Sequence, residues 1–238
     1  MARDKAKPVV DHVQELISRL RIIILLLTVT SVVAFPYSPQ VLNFLQSNLL
    51  PKEWKLIVTD PTEAVVAELL ISFIIGLIIS FPIILYEIIK FVGPALMLEE
   101  RKFATYFILG FFGLFVFGVL FAYCLLLPVT YGILAYLTQP TGASALMSLE
   151  NFVSFTLIFI VSTGLILTYP VFLVLLAKIG LLSAKTLSKY RKYILAALFI
   201  IAALITPDPT PISDLILIVP VWVLYEASIL AIKRIKKE

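Results

Sequence analysis

The chain has 238 residues, of which 61% are hydrophobic and 14% charged, and its formal net charge is +4. Soluble domains carry about 25% charged residues, so this composition, with a mean hydropathy of +1.06, excludes an ordinary soluble domain. Several apolar stretches approach the roughly 20 residues that a membrane-spanning helix needs, and the alternating pattern of a membrane β-barrel is absent. We therefore predict an all-α integral membrane protein with six transmembrane helices.

The first predicted span follows a charged segment in which Asp11 and Gln14 resemble a helix capping box. It lacks a small-residue cleavage site, which indicates a retained span, and it ends at Pro36 and Pro39. The third span is expected to stop at Pro128. The six predicted spans form one membrane domain, 1–238, and cover residues 22–38, 64–91, 103–127, 152–179, 193–206 and 212–232.

The last two predicted spans are short. The fifth has 14 residues, which form about 21 Å of helix, whereas the hydrocarbon core of a bilayer is about 30 Å thick. Asp214 limits the sixth span at its outer end. This helix pair must therefore thin the bilayer, recruit flanking residues or pack inside the protein.

Positive residues are distributed unevenly over the two sides of this topology. Cytoplasmic loops of membrane proteins carry an excess of Lys and Arg. With six spans, the termini and the even-numbered loops hold 17 of the 19 Lys and Arg residues, and the other side holds Lys52 and Lys55. We therefore predict that both termini are cytoplasmic and that Glu99 and Glu100 lie in the first cytoplasmic loop.

The patterns of common catalytic and cofactor sites are missing. Cys124 stands alone, which excludes an intrachain disulfide, and it is expected to be a small core residue. His12, the one histidine, is expected to be an ordinary interfacial residue. Without a nucleophile elbow, a zinc-protease motif or a phosphate-binding loop, we predict no enzymatic activity, cofactor, metal site or nucleic-acid partner.

Three glutamates lie within predicted spans, where an ionisable residue is a functional candidate by default. They are Glu68, Glu87 and Glu226. Each lies near a span boundary, so the simpler interpretation is that it reaches the headgroups, and Lys90 could neutralise Glu87. The fourth span has hydroxyl residues that can bond to their own helix or to a neighbour: Ser154, Thr156, Ser162, Thr163 and Thr168.

The cytoplasmic acids Glu15, Glu99 and Glu100 allow two interpretations. In the structural one, Glu15 pairs with Arg19 at i,i+4, and the other two lie at the start of the third helix, where the helix dipole favours negative charge. In the functional one, the acids form a docking site for a cationic partner, because carboxylates accept paired hydrogen bonds from guanidinium groups.

The segment 80–103, SFPIILYEIIKFVGPALMLEERKF, resembles the signature of the TatC family, the multi-spanning receptor of the twin-arginine protein translocase. Members carry Pro-(Val/Ile)-Ile-Leu-Tyr, then Phe-(Ile/Val)-x-Pro-Ala-Leu, then an acidic–basic cluster ending in Glu-(Arg/Lys). Residues 12–20, HVQELISRL, resemble the family's N-terminal motif His-(Leu/Ile)-x-Glu-Leu-Arg-x-Arg-Leu. Shorter matches extend the resemblance over nearly the whole chain, at 58–64, 121–128, 191–193, 206–208 and 225–226.

The resemblance implies a concave, glove-like helix arrangement that recognises the paired arginines in signal peptides of folded cargo. The residues it implies for signal-peptide binding are Glu15, Glu100, Glu99, Phe91 and Arg19. The residues it implies for contacts with partner helices are Thr168, Pro207, Asp208, Tyr225 and Glu226. The implied partners are membrane lipid and TatA and TatB type single-span subunits, in an oligomeric complex of the cytoplasmic membrane that uses the proton-motive force.

Three positions depart from the family pattern. Ile17 stands where arginine is common, Thr168 stands where many members carry a buried glutamate, and 48–52, NLLPK, does not reproduce the usual proline-leucine. The alternative function is a small secondary transporter with a midplane substrate site, which would use broken helices and a polar pocket at depth. Prolines inside three of the spans are the features that this alternative could use, and an intramembrane enzyme ranks third.

Overall fold

The computed structural model describes residues 9–92, 101–138, 146–178, 180–205 and 211–236, and these residues are almost entirely helical. Two three-residue strands and short connecting segments are the exceptions. In chain order the elements are α1 (Val9–Ala34), a 3-10 turn (Phe35–Tyr37), α2 (Ser38–Leu49), β1 (Lys55–Ile57), α3 (Pro61–Val92), α4 (Arg101–Phe121), a π-helical turn (Ala122–Leu126), α5 (Leu127–Thr138), β2 (Leu146–Ser148), α6 (Leu149–Lys178), α7 (Ala184–Ile205) and α8 (Pro211–Lys236).

Five helical segments in the described ranges are long and apolar enough to cross a membrane. They are Val13–Leu49, Pro61–Phe91, Phe107–Thr138, Leu149–Lys178 and Ile212–Arg234. Helix α7 is not among them although it has 22 residues, because its first half contains the basic segment 185–192, KTLSKYRK. The predicted fifth span, 193–206, begins after that segment and coincides with the apolar second half of α7.

The first predicted span ends where the prolines place it. Helix α1 stops at Ala34, Pro36 lies in the 3-10 turn that follows, and Pro39 lies in the first turn of α2. A proline is tolerated in the first turn of a helix, because the N–H that it lacks would have no partner within the helix there. The two prolines thus separate α1 from the short helix that continues the same segment.

The third predicted span does not stop at Pro128, and that prediction is wrong. Helix α4 continues through the π-helical turn into α5, which extends to Thr138. The N–H of Leu127 donates to the carbonyl of Ala122, five residues earlier. Pro128 therefore falls at the start of a new α-helical stretch, where its missing N–H disturbs the hydrogen bonding least. The same turn leaves Cys124 exposed, so the prediction of a core cysteine is also wrong.

Helices α4 and α6 approach each other closely at two glycines. A Cβ added at Gly118 would lie 2.7 Å from Gly164 Cα, and one added at Gly164 would lie 2.8 Å from a ring carbon of Phe115. Small residues let membrane helices pack backbone to backbone in this way. Beside the crossing, Phe115 stacks on Phe81 of α3 with ring centroids 4.0 Å apart, which brings three helices into one aromatic cluster.

A polar network fixes the start of α3. Strands β1 and β2 pair in parallel, and Glu63 in the first turn of α3 accepts hydrogen bonds from Thr59 N at 3.1 Å and from Ser148 Oγ at 3.3 Å. Asp60 caps the helix by accepting from Thr62 N and Oγ1 at 2.8 and 2.7 Å. The backbone bond from Thr62, followed by the hydroxyl bond, lowers the pKa of the Asp60 carboxyl below its ordinary value. The cap is therefore fully effective above the ordinary carboxyl pKa and is lost as the pH falls through the lowered one.

Candidate functional site

Three charged side chains from α1 and α3 meet near the start of α1 and the end of α3. Arg19 donates from Nη2 to Glu15 Oε1 at 2.5 Å and from Nη1 to Glu87 Oε2 at 2.8 Å. The side chains of Glu15, Arg19 and Glu87 are 20%, 13% and 10% exposed, so both charge-assisted bonds lie largely away from water. The predicted i,i+4 pairing of Glu15 with Arg19 is confirmed. We call these three residues the Arg19 triad.

The packing of α1 on α3 brings the triad together. Farther along the same contact, Thr30 Oγ1 lies 2.9 Å from Ser80 Oγ and donates to Gly76 O at 3.2 Å. A Cβ added at Gly76 would lie 2.5 Å from Ser31 Oγ, so the glycine allows α1 to approach α3 closely. These contacts set the register between the two helices, which aligns the carboxylate from α3 with the guanidinium from α1.

Glu87 is the member of the triad whose role sequence reasoning missed. The sequence suggests Lys90 as its neutralising cation, but in the structure Glu87 is buried and bonded to Arg19. Lys90 extends over the ring of Tyr86, with its Nζ 5.7 Å from the ring centroid. Lys90 is a helical neighbour of both residues, four positions after Tyr86 and three after Glu87, and its side chain takes the Tyr86 side. The available signal was a carboxylate just inside a span boundary, which needs a cation at the same depth on a neighbouring helix.

Of the other residues predicted for signal-peptide binding, the structure describes Phe91, which lies at the end of α3. Phe91 is half-buried and follows Glu87 by one helical turn, so the two share a face of the helix. Glu99 and Glu100 lie outside the described residues, and their roles stay predictions. The same holds for Pro207 and Asp208, which were predicted to contact partner helices.

The predicted hydroxyl bonds of the fourth span are found in α6 in both expected forms. Thr168 is 1% exposed, and its hydroxyl donates to Leu165 O at 2.6 Å, within its own helix. Thr156 reaches a neighbouring helix, where its Oγ1 lies 2.9 Å from the hydroxyl of Tyr131 on α5. Thr168 therefore occupies a buried position of α6 with its single donor already used.

Tyr225 and Glu226, also predicted to contact partner helices, join α8 to α7 in the structure. Tyr225 is fully buried, and its hydroxyl donates to Leu187 O at 2.8 Å. Glu226 Oε2 accepts from Arg191 Nη2 at 2.6 Å, and these two side chains are 33% and 45% exposed. A buried hydrogen bond and a partly exposed ion pair thus join α7 to α8, beside apolar packing that includes Leu187 and Ile229.

Replacing Tyr225 by Phe is expected to destabilise the protein by about 1–2 kcal/mol, because it leaves the buried Leu187 carbonyl without its donor. Replacing Glu226 by Gln is expected to cost at most about 0.5 kcal/mol, because partly exposed ion pairs contribute little. Thermal unfolding of the two purified variants in detergent would measure the difference. A larger loss for Glu226→Gln than for Tyr225→Phe would contradict this account of the helix pair.

Comparisons by sequence and by structure match this chain to the same protein family. Residues 11–220 match the family model described as Sec-independent protein translocase protein (TatC). The chain is 35% identical to TatC of Carboxydothermus hydrogenoformans over 98% of this chain and 96% of that protein, and 34% identical to TatC of Aquifex aeolicus over 97% and 98%. A crystal structure of the twin arginine translocase receptor TatC superposes with a TM-score of 0.78 at 34% identity, covering 93% of this chain and 98% of that one.

The helical architecture and these matches define an integral membrane component of a protein translocation system. The chain belongs to the TatC family. The all-α membrane fold and the family resemblance inferred from the sequence are both confirmed.

Proposed function

We propose that this chain is the core subunit of a twin-arginine translocase, which binds the twin-arginine signal peptides of folded cargo proteins. The Arg19 triad is the observation that carries the proposal. A guanidinium already lies between two carboxylates there, at 2.5 and 2.8 Å, so the site has the chemistry that an arginine side chain requires. The family membership supports the same role.

A signal with two arginines needs more than one acid. Glu15 is one proposed acceptor, and Glu100, with Glu99 beside it in the sequence, is the second. Phe91 would border the bound peptide with its ring. Arg19 would organise Glu15, as their i,i+4 contact supports.

We place the protein in the cytoplasmic membrane with both termini in the cytoplasm, which the 17 to 2 distribution of Lys and Arg supports. The six helices would form the concave, glove-like arrangement of the family, with the apolar half of α7 as the fifth crossing segment in chain order. The subunit performs no bond chemistry in this proposal, and the proton-motive force drives transport.

TatA and TatB type single-span subunits would pack on α7 and α8, in an oligomeric complex. Helix α7 packs mainly on α8 and only lightly on α6, and it leaves large apolar side chains such as Ile200 and Leu204 exposed. Tyr225 and Glu226 would take part by holding this pair of helices in position, and Thr168 by its place on α6. Pro207 and Asp208, which lie between α7 and α8 in the sequence, would contribute as well.

A binding measurement tests the proposed function. Purified full-length protein in lipid nanodiscs is expected to bind a twin-arginine signal peptide at least about tenfold more tightly than the same peptide with two lysines, because lysine lacks the paired donors of a guanidinium. Equal affinity for the two peptides would count against the proposal.

The alternative of a secondary transporter predicts uptake of a small solute into proteoliposomes. Such a transporter would use helices that are broken near the middle of the membrane. The structure gives this little support, because α3, α6 and α8 continue without interruption through Pro82, Pro170 and Pro220.

A further inference from the structure

We propose that Glu87 is a positioning residue for signal capture: it shares the positive charge of Arg19 with Glu15 and retains this arginine when Glu15 binds the signal's guanidinium. The inference rests on the proposed function, because it concerns how the signal's guanidinium gains access to Glu15. It adds a carboxylate from α3 to the acids that the family resemblance assigned to recognition.

The charge balance of the triad is the first step. Arg19 and Glu15 alone would form a closed pair with no net charge and no attraction for another cation. With Glu87 on the same guanidinium, two carboxylates share one positive charge, so the triad retains one negative charge. The three side chains are at most 20% exposed, and a charge with little water around it acts more strongly on an approaching cation.

The hydrogen-bond geometry is the second step. Arg19 uses separate terminal nitrogens for its two partners, Nη2 for Glu15 and Nη1 for Glu87. It can therefore release Glu15 to an incoming guanidinium and still keep its bond to Glu87. Without Glu87, the release would leave a poorly hydrated guanidinium unpaired, which is strongly unfavourable. Glu87 thus lowers the free-energy cost of replacing Arg19 by an arginine of the signal peptide at the Glu15 carboxylate.

Two further cations among the described residues, Lys90 and Arg21, take no part in the two hydrogen bonds of the Arg19 guanidinium. Lys90 extends over the Tyr86 ring. Arg21 borders an apolar groove on α1 together with Ile17 and Ile24. Lys90 and Arg21 each lie within one helical turn of a triad residue. It is Arg19, however, that donates a hydrogen bond to both carboxylates.

The test compares isosteric variants of full-length protein in nanodiscs, using a twin-arginine signal peptide as the probe. Glu87→Gln is expected to weaken binding about tenfold, because an amide keeps the shape of the side chain and removes its charge. The matched control is Glu68→Gln, which makes the same change on the same helix α3 and should leave affinity unchanged. Glu87→Asp, which retains the carboxylate, should restore most of the affinity.

A double-mutant cycle separates positioning through Arg19 from other roles. In an Arg19→Gln background, Glu87→Gln should have no further effect on affinity, because the guanidinium through which it acts is gone. Wild-type affinity in Glu87→Gln, or an undiminished tenfold loss in the Arg19→Gln background, would overturn the inference. A loss of thermal stability in Glu87→Gln with unchanged affinity of the folded fraction would also overturn it, since that is the signature of a purely structural role.

Glu15→Gln, measured beside these variants, distinguishes the two levels of failure. If it abolishes binding while Glu87→Gln does not weaken it, the positioning role is wrong and the proposed function stands. If the wild-type protein does not distinguish twin-arginine from twin-lysine peptides, the proposed function fails, and the role of Glu87 fails with it.

Discussion

Replacing Glu15 by Gln is expected to weaken binding of a twin-arginine signal peptide by roughly a hundredfold, or about 3 kcal/mol, and to stop export of folded cargo. The substitution removes the charged acceptor and leaves its amide isostere in place. Arg19 keeps its 2.8 Å bond to Glu87, so the contact between α1 and α3 survives and the fold is expected to remain intact. The loss should therefore appear in recognition and not in stability.

The matched control is Glu53→Gln, which removes one carboxylate from the exposed connection between α2 and β1. It should bind and export as the wild type does. Glu100→Ala is expected to resemble Glu15→Gln if both acids bind the arginine pair. Peptide crosslinking and export in cells that carry each variant as their single copy would measure the effects, and normal crosslinking of Glu15→Gln would remove the basis for the site.

Gly118→Val is expected to destabilise the protein by about 3 kcal/mol or more, the largest loss of stability that we predict from one substitution. A Cβ at this position would lie 2.7 Å from Gly164 Cα, and the neighbouring atom belongs to a helix backbone that cannot rotate away. Valine would therefore push α4 off α6 and disturb the stacking of Phe115 on Phe81.

The same helix provides the control for this substitution. A Cβ added at Gly113 meets nothing within 4 Å, so Gly113→Val should leave stability unchanged or raise it slightly. Thermal unfolding in detergent and the amount of protein accumulated in membranes would compare the two variants. Equal unfolding temperatures would show that the close approach at Gly118 contributes nothing to stability.

Local features of the site and fold were accessible from the sequence. Apolar runs bounded by charges and prolines predicted where the helices lie, because a helix in a bilayer must satisfy its own backbone and present apolar side chains. The pairing of Glu15 with Arg19 was also predictable, because residues four apart on a helix are neighbours.

Features that depend on how helices meet were not accessible. Glu87 is separated from Arg19 by 68 positions, and their contact depends on the register between α1 and α3. That register depends on residues such as Gly76 and Ser80, which both contact Thr30 of α1. Their positions in the sequence do not identify this partner. Pro128 was misinterpreted because a proline signals a break only when the preceding turn is α-helical, and here that turn is wider.

The π-helical turn before Pro128 has a geometric consequence for the whole segment. One additional residue in a helical turn rotates everything beyond it by about 100° around the helix axis. The turn thereby sets which faces of α5 point towards α8 and α6. On these faces, Thr130 Oγ1 lies 3.0 Å from Ser213 Oγ of α8, and the Tyr131 hydroxyl contacts Thr156 of α6. A single-residue deletion within Ala122–Leu126 would preserve composition and hydropathy almost unchanged, yet it would turn both side chains away from the helices that they now join.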